Sequence, residues 1–191
     1  MRICVFGASG SELERCYFDA AAALGRALAR GGHTLVFGGG ASGLMGACAR
    51  AAAAEGAEIV GVAPRFFDEP GVLYRGSGTL LFTETMRERK AKMEELAEAF
   101  LVMPGGIGTM EEFFEVLTLR QLGRHDKPIV LLNTKGYYDA LRALLEQAAR
   151  ERFMGESCLS LCAFCPDADE ALRAATAPQS HTARGIRDYA R

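Results

Sequence analysis

Arg89 and Lys90, Glu111 and Glu112, and the run Pro104-Gly105-Gly106-Ile107-Gly108-Thr109 are the residues whose types and spacing suit chemistry on a phosphorylated ligand. Three glycines in four positions let the backbone turn sharply and approach a ligand with no Cβ in the way. The apolar run at 99–103 reads as a buried strand that Pro104 ends. Thr109 is expected to open a helix that continues through Phe113, Phe114, Val116, Leu117 and Leu119. Strand, glycine turn and helix N-terminus together make an anion site, because free N–H groups and the positive end of the helix dipole face one space. Glu112 then lies one turn into the helix, beside the bound phosphate. The same spacing, Thr109-x-x-Glu112, also suits a plain capping box with no ligand.

A second glycine turn precedes it in the chain. Gly38-Gly39-Gly40-Ala41-Ser42-Gly43 follows an apolar strand at 33–37 and leads into an alanine-rich helix at 44–55, suited to close packing on a sheet. Gly38-x-Gly40-x-x-Gly43 matches the dinucleotide fingerprint but follows the second strand, not the first. Four glycines within six residues point to a phosphate or ribose pressed against backbone. A third small-residue turn, Gly7-Ala8-Ser9-Gly10, follows the strand at 2–6 and precedes a helix at 13–30.

The elements that must position these turns alternate along the chain. Further strands are expected at 57–63, 79–83, 128–132 and 159–164, and further helices from Thr85, at 136–150 and at 167–175. The stretch 65–78 has no period and reads as a loop forming a lid or wall of the site. Strands alternating with helices predict an α/β, Rossmann-like, doubly wound sheet that is mainly parallel. Ligands in such sheets bind at the carboxyl ends of the strands, where all three small-residue turns lie. Charge clusters such as Arg87-Glu88-Arg89-Lys90 are more often solvated faces than sites, so convergence on one sheet edge carries the argument.

The bulk composition narrows the function further. With 191 residues the chain has the length of one domain, expected to span 1–175 with a polar tail at 176–191. A net charge of −2 gives no general attraction to nucleic acid or anionic membrane. No segment reaches the roughly 18 apolar residues that span a bilayer, and the N-terminus passes straight into a strand, so a cytoplasmic location is expected. The six cysteines are then expected to be reduced. Cys158, Cys162 and Cys165 offer three thiolates without a nearby fourth ligand, so no metal is expected.

Val36-Phe37-Gly38-Gly39-Gly40 with Gly43-Leu44-Met45-Gly46, then Met86-x-x-Arg89-Lys90, then Pro104-Gly105-Gly106-x-Gly108-Thr109-x-x-Glu112 resembles the Lonely Guy family of cytokinin riboside 5′-monophosphate phosphoribohydrolases. The similarity runs over about residues 2–175. It implies hydrolysis of the N-glycosidic bond of AMP or an N6-substituted AMP to free base and ribose 5-phosphate, without a cofactor. Arg89 and Glu112 fall on the family's catalytic positions. The resemblance places substrate contacts at Ser9, Gly39, Gly40, Lys90, Gly105, Gly106, Gly108, Thr109 and Thr118, with Glu111 as the competing carboxylate and Glu69 as a further acidic candidate. It also implies a homodimer in which the Arg89 helix and the Glu112 helix pack near the interface. Many relatives carry the older label "lysine decarboxylase", for which no recognisable pyridoxal phosphate lysine is present.

Two other classes stay open at this stage. Molybdenum-cofactor carriers share a similar fold and similar glycine turns, and would make the protein a non-hydrolytic nucleotide or cofactor binder. A pure binder has no need of Arg89 and Glu112 together. DNA binding through a related fold is disfavoured by the net charge and by the lack of a basic, aromatic stripe.

Overall fold

Four runs that are apolar on both faces beyond their first residue become strands covered on both sides: β1 (Arg2–Phe6), β2 (Thr34–Phe37), β5 (Ala99–Val102) and β6 (Ile129–Leu132). A computed structural model of the chain describes residues 1–178. It adds β3 (Ile59–Pro64), β4 (Thr79–Thr83) and β7 (Ala163–Cys165) to give a seven-stranded sheet in the order β4-β3-β2-β1-β5-β6-β7. Every pairing is parallel, so the sheet is wholly and not just mainly so. Parallel neighbours need crossovers, and helices supply them. These are α1 (Arg15–Arg30), α2 (Gly43–Ala54), α3 (Met86–Leu96), α4 (Ile107–Gln121), α5 (Asp139–Arg150) and α6 (Ala168–Thr176).

Side chains alternate across each strand, and this alternation builds two cores. Ile3, Val5, Leu35, Phe37 and Leu101 meet α1, α2 and α6 on one face. Cys4, Phe6, Val36, Phe100 and Val102 meet Met93 of α3 and Phe113 and Val116 of α4 on the other. The sheet is therefore doubly wound, as expected. Phe100 has no exposed surface and stacks on Phe6 with ring centres 5.9 Å apart. Burial of such a ring contributes about 1.5–3 kcal/mol.

Several local expectations shift. The helix expected from Thr109 begins at Ile107, with Gly106 as its cap, so Thr109 and Glu112 form no capping box. The capping box of the region lies instead at Thr85 and Glu88, which start α3. The alanine-rich α2 packs on the sheet and also lies close against α1. Residues Glu156–Leu161 form a 3-10 turn, which leaves only Ala163–Cys165 as the last strand. The helix α1 starts at Arg15, two residues later than its apolar pattern suggests. Most of the expected polar tail lies outside the described residues.

The path of the chain decides where a ligand can sit. From β1 it steps outward through β2 and β3 to β4, then returns by α3 to place β5 beside β1. The connections after β1 and β5 leave toward opposite faces, which opens a crevice at the carboxyl ends of those two strands. No helix among the described residues is long and apolar enough to cross a membrane.

Candidate active site

Three turns close on that crevice and hold one another in place. The Leu44 N–H donates to Ala8 O at 2.9 Å, which ties the turn after β2 to the turn after β1. The Ala8 N–H donates to Pro104 O at 3.1 Å, tying the turn after β1 to that after β5. Gly43 makes the first contact possible. Its φ is +60°, and a Cβ there would lie 2.4 Å from Ala8 O, so both conformation and space require glycine.

The loop at 65–78 is a wall, as its lack of period suggests. Its Leu73 forms an antiparallel bridge with Gly40, and the Ala41 N–H donates to Val72 O at 2.9 Å. Phe67, Gly71, Val72 and Leu73 of this loop line one side of a cleft of about 800 Å³. The turns after β1, β2 and β5 form the rest, joined by Met86 and Arg89 from α3.

Arg89 is carried inward by the start of α3. The reciprocal Thr85–Glu88 cap sets where the helix begins, and Arg89 then falls on the inner face with Met93 one turn further along. Its Nε donates to Val62 O at 3.3 Å, and its Nη1 lies 2.9 Å from Glu112 Oε1. A Cβ on Gly38 would lie 1.9 Å from Arg89 Nη2, so the first glycine of that turn makes room for the guanidinium. Burial holds the Glu112 carboxyl above its ordinary range, and the Arg89 charge opposes that rise. The Cys4 thiol is driven well above its usual value by burial first and by Glu112 second, so it stays protonated and is no nucleophile.

Of the residues expected from sequence, Ser9, Gly40, Arg89, Gly106, Gly108, Thr109, Glu111 and Glu112 line the cleft together. Four others do not. Gly39 faces the opposite side of the sheet, toward Ala63, Leu73 and Leu80. Gly105 is buried beneath the Thr109 side chain. Lys90 turns to Glu111 and to Glu115, the latter at 2.8 Å. Thr118 is exposed on α4, about two turns beyond Glu111. Glu69 is exposed and away from the cleft lining. Gly38, Ser42, Met45, Phe67, Met86 and Ile107 were not singled out as contacts and do line it. Strand alternation carries the signal for Gly38: it continues the face of Val36, the side on which α3 packs.

The arrangement offers backbone N–H groups at the start of α4, a buried carboxylate–guanidinium pair beside them, and an apolar wall opposite. An anionic group suits the first, a carbon centre developing positive charge suits the second, and a flat apolar ring suits the third. Among the described residues no cluster of three His, Cys, Asp or Glu side chains has the arrangement to hold a metal ion.

A family model described as "Possible lysine decarboxylase" matches residues 45–175. A probable cytokinin riboside 5′-monophosphate phosphoribohydrolase of Oryza sativa subsp. japonica is 42% identical over 172 residues, 90% of this chain and 77% of its own length. A cytokinin riboside 5′-monophosphate phosphoribohydrolase of Rhodococcoides fascians is 44% identical over 163 residues, 85% and 82% of the two chains. Among solved structures, a molybdenum cofactor carrier protein of Chlamydomonas reinhardtii superposes with a TM-score of 0.68 at 21% identity, covering 91% of this chain and 93% of that one. That likeness extends to the fold alone.

Proposed function

Since this chain belongs to the Lonely Guy family of cytokinin riboside 5′-monophosphate phosphoribohydrolases, we propose that Arg89 and Glu112 carry that family's reaction here. The reaction is hydrolysis of the N-glycosidic bond of a nucleoside 5′-monophosphate, AMP or an N6-substituted AMP of cytokinin type. Water adds to the ribose C1′ and the base departs, leaving ribose 5-phosphate. The observation that supports the assignment is the Arg89–Glu112 pair, buried at the floor of the one cleft on which three small-residue turns converge.

Breaking the bond builds oxocarbenium character on the ribose, which the Glu112 carboxylate stabilises while it orients and deprotonates the attacking water. The proton taken from water ends on the departing base, so charge and atoms balance. Arg89 brings a planar fork of N–H donors and a fixed positive charge. Its part is to hold Glu112 in orientation and to stabilise charge. The substrate phosphate rests on Gly106, Gly108 and Thr109 at the N-terminus of α4, with Ser9 and Gly40 opposite. Lys90 acts through Glu111, keeping that carboxylate at the rim. Neither a metal nor an organic cofactor takes part.

Two further assignments complete the reading. The exposed apolar side chains Met86, Ile107 and Phe114 on α3 and α4 suit a homodimer interface beside the cleft. A cytoplasmic location suits six unpaired cysteines.

The direct test incubates the purified protein with AMP and with isopentenyl-adenosine monophosphate and follows free base by chromatography. Wild type should release base and Glu112→Gln should not. If nucleotide binds but neither compound yields base, the protein is a carrier and the catalytic assignment fails.

A further inference from the structure

An amide can face a ligand only if its peptide plane is held. In the turn after β5, three consecutive carbonyl oxygens each have a donor. Met103 O accepts from the Tyr138 hydroxyl at 2.7 Å, Pro104 O from the Ala8 N–H at 3.1 Å, and Gly105 O from the Tyr137 hydroxyl at 2.7 Å. In a trans peptide the C=O and the N–H point in opposite directions. The peptide joining Gly105 to Gly106 is therefore held with its N–H directed away from Tyr137, on the side where Gly106 lines the cleft.

Neither tyrosine lines the cleft, and both are fixed from behind. The Tyr138 ring is fully buried, and its N–H donates to Asn133 Oδ1 at 2.7 Å. Asn133 is itself tied by its N–H to Cys165 O and by its amide to Asp139 Oδ1, each at 2.7 Å. The Tyr137 ring meets Tyr138 edge-on at 5.0 Å and Tyr17 at 6.1 Å. These contacts set the ring, and the ring sets where its hydroxyl points.

We propose that Tyr137, braced by Tyr138, is a positioning residue that aims the Gly106 amide at the phosphate of the ligand. A hydroxyl donated to the Gly105 carbonyl also polarises that peptide and makes its N–H a stronger donor. The inference rests on the phosphate reading above but not on hydrolysis, so the two can fail separately.

The test uses Tyr137→Phe, which keeps the ring and removes only the hydroxyl. Titration calorimetry with ribose 5-phosphate should show affinity reduced about fivefold to tenfold, the size of one lost hydrogen bond to a charged ligand's site. Affinity for adenine alone should not change. With AMP, KM should rise by the same factor while kcat stays within about twofold, because a ground-state contact to phosphate is lost. Unchanged ribose 5-phosphate affinity would overturn the proposal, and so would equal loss for ribose 5-phosphate and adenine, which marks general loosening of the fold. A second measurement needs no variant: in ¹⁵N-labelled wild type, ribose 5-phosphate should shift the Gly106 amide resonance, and an unmoved resonance overturns the assignment. If ribose 5-phosphate binds and moves Gly106 but no base is ever released, hydrolysis fails and the role of Tyr137 stands.

Discussion

Glu112 Oε1 and Arg89 Nη1 lie 2.9 Å apart, with only 9% and 7% of their side chains exposed. Two charges so enclosed are mutually dependent: each compensates for the desolvation of the other. Removing one leaves the other buried and unpaired, so stability and chemistry must be separated in any mutagenesis of the pair.

Glu112→Gln retains shape and a hydrogen-bond acceptor for Arg89, and should lower kcat/KM by about 10²–10⁴, the usual worth of a positioned acid–base group. Glu112→Ala should lose the same activity and also about 3–5 kcal/mol of stability, because the buried Arg89 then has neither a counter-charge nor the acceptor that Gln retains. Steady-state kinetics and urea unfolding on both variants check this; equal stability of the two would contradict the pairing.

Burial raises the Glu112 carboxyl above its ordinary value of 4.5, and Arg89 counters it only in part. The acid limb of kcat/KM should therefore inflect above 4.5 and disappear from the residual activity of Glu112→Gln. The folded state holds this proton more tightly than the unfolded state does. Its contribution to stability is thus fully present below 4.5 and is lost as pH rises through the raised folded value. Glu94, raised by burial first and by Glu115 next, contributes with the same sign. Unfolding free energies of wild type and Glu112→Gln across this window should diverge as pH rises.

Gly38→Ala places a methyl group 1.9 Å from the Arg89 Nη2 position. Arg89 must move, and its contact with Glu112 opens. Activity should fall by about 10²-fold, the cost of misplacing a catalytic group by an ångström. Stability should fall by about 1–3 kcal/mol from overpacking. Activity near wild type would show that Arg89 need not sit where it does.

Gly108→Ala has no atom within 4 Å of the new Cβ and lies within α4. It should raise stability by about 0.5–1 kcal/mol, as alanine does for glycine inside a helix, while raising KM because the new methyl group sits at the proposed phosphate site. Gly43→Ala should instead destabilise, since φ is +60° and Ala8 O lies 2.4 Å away. Thermal melts of the two variants should move in opposite directions.

The local pattern of the chain determined the number and order of its main elements, because runs such as residues 99–103 and 129–132 carry no polar side chain and suit burial on both faces. It also determined the glycine turns, and at Gly38 and Gly43 close approaches exclude any other residue. The start of α4 at Ile107 was not legible there: Thr109-x-x-Glu112 satisfies the capping rule on spacing alone, and only the packed helix shows Gly106 in the cap position. Nor was the choice of Gly38 over Gly39, which depends on which face of the sheet α3 covers. Lys90 lies outside the cleft lining although it follows Arg89, because adjacent helical positions diverge by about 100°, and Thr118 stands about two turns beyond Glu111. Above all, Arg89 and Glu112 stand on different helices, and nothing local pairs them. Only the return of the chain through α3 to lay β5 beside β1 brings those helices onto one face of the sheet and the pair into one cleft.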